Sequence, residues 1–343
     1  MTTNPQPPDT SVHARQHSIE LLRIVAMLMV LFIHYNLPVR GKPNPAELQN
    51  NFLFSLESIG LQSLLIVCVN CFVLISGWFG IHWKRRSLFN LCFQVLFWAL
   101  ACYPLLLLLP HSGGNEITTY AANLLRQWFV WAYFGLYLFA PVLNDFIEKS
   151  SSRRLAFFVT AFYVFSTLFG YVCKAVADFN EGMSVISLIG LYLLGALMHR
   201  AEKQLPKRAS VWLGGYLLCA FLLTGLTLIV FYFGGTSMPH GYLNPIVIIQ
   251  SVCLFMFFQR LRINSPVILF FSSSAYAVYL AHMFPADCYT TLLHRIAGSG
   301  MGGYAECIAI IGFIVLVYLL AVLVDKVRIA LFVLLFPKST RHS

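Results

Sequence analysis

Ser18-Ile-Glu20-Leu-Leu-Arg23-Ile-Val-Ala-Met27-Leu-Met-Val30-Leu31-Phe-Ile-His34-Tyr-Asn36 reads as a membrane-spanning helix that carries three groups hydrocarbon disfavours. A helix turns about 100° per residue, so the eleven steps from Arg23 to His34 return to within roughly 20° of the same direction. Glu20 lies three residues before Arg23 and is its neighbour on that face. Met27 and Val30 or Leu31 fill the stripe between them. At about 1.5 Å per residue the stripe runs roughly 16 Å, half a bilayer. A helix that only anchors a protein has no need of such a face, so the remaining helices are expected to shield it from lipid.

The rest of the chain supplies them. It has 343 residues, 59% hydrophobic and 10% charged, with a mean hydropathy of +0.75; a soluble domain carries nearer 25% charge. This composition predicts an all-α polytopic membrane protein. Apolar runs place ten spans at roughly 18–36, 60–81, 88–109, 124–144, 155–174, 184–199, 209–233, 243–259, 266–284 and 305–325, with an apolar extension to about Phe336. The membrane domain is therefore expected over 18–336, between polar cytoplasmic tails at 1–17 and 337–343. Residues 1–17 do not read as a cleavable signal, because the first apolar run has charges inside it. The formal net charge of +10 is read as loop topology and not as nucleic-acid binding. Of the 23 Lys and Arg, 17 fall to one set of alternate loops and 5 to the other, with Arg23 inside the first span. Both termini are then expected in the cytoplasm, with Arg23 near the inner end of its helix and His34 near the outer end.

Other signals are weaker. Cys68-Val-Asn-Cys71 has CxxC spacing but lies within a span and reads as packing. Cys288 and Cys307 flank an outer loop at positions that would let them pair. No ligand cluster implies a metal. Acidic groups look absent from span interiors beyond the first helix, and Asp325 reads as a helix end. No paired broken helices of the inverted-repeat transporter kind are visible. These last two readings count against a proton-driven carrier.

His34 can take a proton from a hydroxyl near neutral pH, though an interfacial histidine bonded to water would occupy the same place. Arg23 could equally snorkel to the surface beside Glu20. Lys84-Arg85-Arg86 is either a positive-inside anchor or a clamp for the phosphates of a cytosolic ligand. Ser76-Gly77-Trp78 first suggests close helix packing. Asn70, near the bilayer centre, requires a buried partner. His282, level with His34, reads on its own as an interfacial histidine.

Together these residues resemble the acyltransferase-3 family of integral membrane O-acyltransferases. Glu20-Leu-Leu-Arg23 with His34 is similar to its first-helix signature. Val69-Asn70-Cys-Phe72-Val-Leu-Ile-Ser76-Gly77-Trp78 resembles its second-helix segment, Trp128-Phe129 with Tyr137-Leu-Phe-Ala-Pro141 its fourth-helix pattern, and Tyr279-Leu-Ala-His282 a motif near its ninth helix. Two departures stand out: Lys84-Arg85-Arg86-Ser87 replaces the family's Arg-x-x-Arg, and Trp78 a Phe or Tyr. The resemblance implies transfer of an acyl group, commonly acetyl, from a cytosolic acyl-CoA used as co-substrate to a hydroxyl of an outer sugar or lipid-linked glycan. No permanently bound cofactor is implied. It makes His34 the catalytic histidine with Arg23 as its essential partner; Glu20, the neighbour of Arg23 on the helix face, is expected to orient it or to neutralise it when the donor is absent. It places Lys84, Arg85, Arg86 and Ser76 with the donor, and Asn70, Trp128, Tyr137, Tyr279 and His282 as substrate or support residues. The expected setting is the cytoplasmic (inner) membrane of a bacterium, among membrane lipid, the glycan acceptor and glycan-assembly proteins. The rival reading is a glycan or lipid exporter whose path the stripe lines; a purely structural subunit of a glycan-assembly complex is a third.

The charge asymmetry makes a direct prediction. Cysteines placed at Ser112 and at Ser152 should label from opposite sides of the membrane. Labelling of both from one side would remove the ten-span arrangement.

Overall fold

The computed structural model describes residues 16–106 and 116–337. Most of the two polar tails, and Ser112, therefore lie outside the described residues. Every regular element among them is helical. The chain opens with α1 (His17–Arg40), a short α2 (Pro45–Asn50), and α3 (Phe52–Leu65) continued by α4 (Cys68–Phe79). There follow α5 (Arg85–Leu106), α6 (Glu116–Leu125), α7 (Trp128–Lys149) and α8 (Ser152–Phe165), the last running into a π-turn over Ser166–Val172. Then come α9 (Val185–Ala201), α10 (Ala209–Tyr232), α11 (Pro245–Arg260), and α12 (Pro266–Ser272) continued by α13 (Ala275–Met283). An amphipathic α14 (Ala286–Ala297) and a 33-residue α15 (Gly303–Leu335) complete the order. Among the described residues nine helices, counting each interrupted pair as one, are long and apolar enough to span, and α11 is a shorter apolar tenth. These ten coincide with the ten apolar runs. The protein is an all-α, multi-pass integral membrane protein.

The first helix is the hub. It packs against α3, α4, α11, α12, α13, α14 and α15, so its polar face meets protein. One end of the bundle is knitted by polar contacts between successive helix ends. The Ser265 amide donates to His17 Nδ1, Asn144 to the Ile81 carbonyl, and Arg86 to the Phe336 carbonyl. Arg200 donates to the carbonyls of Ile147 and Ser150, and Arg260 pairs with Glu202. This is the basic end, and both described termini lie in it. At the opposite end Arg40 pairs with Glu57 at 3.1 Å, and the Asn36 amide donates to the Ser58 carbonyl. There the 233–244 loop is pinned by buried His240, which bonds Ser63 Oγ at 2.9 Å. Burial first, and then the charge of Lys42, push this imidazole down to about 3, so it is neutral in the folded protein.

Several readings need correction. The spans at 60–81 and 266–284 are both interrupted, at Ile66–Val67 and at Ser273–Ser274. Neither break contains Gly or Pro, so neither was visible as punctuation. Asp325 does not end a helix. It is fully buried within α15 because Arg328, one turn on, neutralises it at 2.5 Å and lets the helix continue. Lys326 and Arg328, counted with the loops of the basic side, therefore belong to α15. Cys288 and Cys307 are free thiols; Cys288 is buried and donates to the Leu105 carbonyl, while Cys307 is exposed.

Close approach of α4 and α9 explains Gly77. A Cβ there would collide with the backbone of Tyr192, and one on Gly195 would lie 2.6 Å from the Leu74 carbonyl oxygen. Backbone cannot swing aside as a flexible side chain can. Gly77→Ala should therefore cost on the order of 1–3 kcal/mol or more and lower the melting temperature in detergent. Gly214→Ala, with open space around it, should not. Equal melting temperatures for the two would mean that the α4–α9 seam does not limit stability.

Candidate active site

Six helices enclose a cavity of about 260 Å³ reaching inward from the basic end. α1 contributes Glu20, Arg23, Met27 and Val30; α4 contributes Val69, Phe72 and Ser76; α5 contributes Leu91 and Gln94. α7 adds Phe129 and Tyr133, and the interrupted α12–α13 adds Ser272, Ser273, Ala275, Tyr276 and Tyr279. The lower half of the stripe is thus the cavity's charged wall. Glu20 and Arg23 stand 3.9 Å apart; Glu20 is buried and Arg23 partly exposed. Buried Arg23 Nε has no hydrogen-bond partner within the protein. The wall opposite is aromatic. Tyr276 and Tyr279 lie parallel with centroids 6.1 Å apart, Phe129 meets Tyr279 at 5.4 Å, and Tyr133 meets Tyr276 at 6.3 Å.

One turn above Val30, beyond the lining, two imidazoles meet. The rings of His34 and His282 are 5.2 Å apart at 60°. His34 Nδ1 bonds the Val30 carbonyl and His282 Nδ1 bonds the Val278 carbonyl, each at 2.8 Å. A carbonyl oxygen only accepts, so in both rings Nδ1 is the donor. Each neutral ring therefore carries its lone pair on Nε2. His282 is 1% exposed, and its Nε2 has no partner. His282 is consequently no interfacial histidine. It is buried against His34, held between Tyr279 at 5.8 Å and Tyr289 at 5.4 Å. Tyr289 also donates to the Leu31 carbonyl and so ties α14 to α1 beside the pair.

The other expected residues fall into distinct places. Ser76 lines the cavity, donating to the Phe72 carbonyl and lying 3.4 Å from the Tyr133 hydroxyl. Its neighbours are structural: Gly77 admits α9, and Trp78 is buried between His199 and Phe255. Asn70 finds the buried partner it requires, the Tyr242 carbonyl, at 3.3 Å. Trp128 opens α7 and packs on Phe129 and Tyr242, outside the cavity. The Tyr137 hydroxyl bridges the Lys84 amide and carbonyl at the basic end. Lys84, Arg85 and Arg86 do not line the cavity; all three are exposed. The Arg86 guanidinium caps the end of α15 through the Phe336 and Pro337 carbonyls and covers the Phe332 ring. A different cation stands beside the cavity. Lys326 Nζ bonds Ser273 Oγ at 2.7 Å and the Phe270 carbonyl at the α12–α13 break. Among the described residues no three His, Cys, Asp or Glu side chains converge as a metal set.

Sequence reasoning missed Gln94, Tyr133, Tyr276, Tyr289 and Lys326. Only Tyr276 carried a local signal, its i,i+3 spacing to Tyr279.

A family model described as an acyltransferase domain matches residues 16–326, which contain the cavity, the stripe and both histidines. The chain belongs to the acyltransferase-3 family. It is a membrane acyltransferase. No curated protein and no solved structure matches it.

Arg23 supplies the sharpest test of this site. Lysine keeps the charge and can still reach the surface, but it lacks the planar fork that holds a ligand in one orientation. Arg23→Lys should insert normally and lose most of the transfer activity. Full activity would reduce Arg23 to an anchor.

Proposed function

We propose that the protein moves an acyl group, acetyl in the simplest case, from a cytosolic acyl-CoA to a hydroxyl of a sugar or lipid-linked glycan on the other side of a bacterial cytoplasmic membrane. The observation that carries this reading is the His34–His282 pair, two imidazoles whose Nδ1 atoms both bond backbone carbonyls, one helical turn beyond a cavity with a cationic wall. The polar CoA head stays at the basic end, where Arg23, Lys326, Lys84 and Arg85 gather. Its narrow pantetheine arm enters the cavity along α1, between Arg23 and the tyrosines.

At the far end His34 Nε2 takes the proton of the acceptor hydroxyl as that oxygen attacks the thioester carbonyl. The carbon–oxygen bond forms, the carbon–sulfur bond breaks, and the proton passes to the departing thiolate. His34 Nδ1–H bonded to Val30 fixes the reactive tautomer throughout. His282 lies near enough to share the imidazolium charge that develops on His34. Attack by His34 itself, giving a transient acyl-imidazole, uses the same lone pair and the same geometry.

The exporter reading is favoured by one observation, the two helix breaks flanking the cavity, since discontinuous helices mark transporter binding sites. A single preparation separates the two. Purified protein in nanodiscs with acetyl-CoA and a soluble acceptor sugar should release CoA thiol and yield an acyl-mass gain on the acceptor. His34→Ala should lower the rate by about 10²–10⁴-fold at unchanged protein level. No CoA release by the wild type would favour export, and wild-type rates in His34→Ala would remove the histidine mechanism.

A further inference from the structure

Behind the cavity wall lies a buried polar network that the mechanism above does not use. Asp325 and Arg328 face α5 from α15, and Asn90 and Gln94 face them one turn apart. Asp325 is 0% and Arg328 3% exposed. Arg328 Nε donates to Asp325 Oδ1 at 2.5 Å, and Arg328 Nη1 donates to Asn90 Oδ1 at 2.9 Å. Gln94 Nε2 donates to the same Asp325 Oδ1 at 3.4 Å. Asp325 Oδ2 has no partner, so the network is one donor short.

Such an arrangement is expensive as a stabilising device. A buried pair of charges loses its hydration and is often no better than well-packed apolar residues in its place. It does, however, orient one amide. The Asp325 carboxylate paired with Arg328 accepts, so one of the two N–H groups of the Gln94 amide is directed to α15 and the amide plane is oriented by it. Gln94 is also a wall of the cavity. Toward the cavity the amide then offers its carbonyl oxygen, an acceptor in a region lined by Arg23, Ser76, Tyr133 and Tyr276, where the other acceptor, the Glu20 carboxylate, is paired with Arg23.

We infer that Gln94, held by Asp325 and Arg328, is a donor-binding residue that accepts an amide N–H from the pantetheine arm of the acyl-CoA. The inference rests on the proposed reading that the acyl donor occupies this cavity. Pantetheine carries two secondary amides, so a thioester arm lying along α1 brings N–H donors past α5. The carbonyl of Gln94 then fixes how far the arm has entered, and with it the level of the thioester below His34. Asp325 and Arg328 act only through Gln94 and are positioning residues.

The test uses purified full-length protein in nanodiscs, acetyl-CoA, S-acetylpantetheine, and an S-acetylpantetheine whose amide nitrogens are methylated. Gln94→Met keeps length and packing while removing the acceptor. It should raise the acetyl-CoA KM by about tenfold with kcat within about twofold, the pattern of lost uniform binding. Wild type should discriminate against the methylated donor by a similar factor, and Gln94→Met should not. Because Asp325→Ala strands a buried guanidinium and endangers folding, the paired change Asp325→Leu with Arg328→Met is the second arm. It should raise KM like Gln94→Met, without adding to it when the two are combined. Equal KM for wild type and Gln94→Met, or equal response of both to methylation, overturns the inference while leaving the acyltransfer reading intact. A wild type that transfers from none of these donors overturns both.

Discussion

Burying the charged face of α1 is the constraint from which the bundle follows. A charged side chain at the centre of an isolated spanning helix costs about 2.5–3.5 kcal/mol on insertion scales. Glu20 and Arg23 reduce that by pairing at 3.9 Å, and the rest is met by position. The helix that opens the membrane domain sits at its middle, touched by α3, α4, α11, α12, α13, α14 and α15. Apolar faces of the outer helices then meet lipid, which is why large side chains such as Phe157, Phe221 and Ile308 are exposed. The cavity is what remains where the neighbours cannot close completely over a guanidinium, a carboxylate and five aromatic rings.

The cations at the basic end serve two purposes at once. Counting charges across alternate loops gives an orientation, but it says nothing of what each cation touches. Arg86 sits on the end of α15, Arg200 on the end of α7, and Lys326 on the end of α12, each donating to carbonyls that have no partner within their own helix. Those ends carry the negative pole of the helix dipole, where a cation is favoured. A basic cluster read from sequence is therefore a mixture. Arg86 is committed to the fold, whereas Lys84 and Arg85 are exposed beside it. That difference decides which of the three is available to a phosphate.

The sequence made the ten helices and the lower half of the site legible because both depend on local spacing. A run of apolar residues and an i,i+3 pair are complete within one helix. What stayed hidden depends on distant partners. His282 lies 248 residues beyond His34, and nothing in Tyr279-Leu-Ala-His282 shows that the ring turns inward to meet it. Asp325 looked like a helix end and Arg328 like a loop charge because a hydropathy window stops at charge; their mutual neutralisation is visible only with Asn90 and Gln94 in place. The breaks at Ile66–Val67 and Ser273–Ser274 use residues that a helix ordinarily tolerates.

A transferase with substrates on opposite sides of a membrane must let two molecules meet without opening a path for water or ions. The geometry divides that task along α1. From Glu20 to Val30 the stripe is open as a cavity; between Val30 and His34 lies one turn of helix packed against α13. In the proposed reaction the donor fills the lower chamber and plugs it with its own acyl chain end. The acceptor approaches His34 from the other side. Val30, Val69 and Tyr279 line the cavity, and the Val30 carbonyl also accepts the hydrogen bond from His34 Nδ1. In the proposed reaction a residue of the donor chamber wall is thus bonded to the base that serves the acceptor. In that reaction a shift of this one turn would move the Val30 wall and tilt the imidazole together, tying access to reactivity. In the proposed reaction such coupling needs no separate gate, and the rate-sensitive geometry is the carbonyl–imidazole contact between residues 30 and 34.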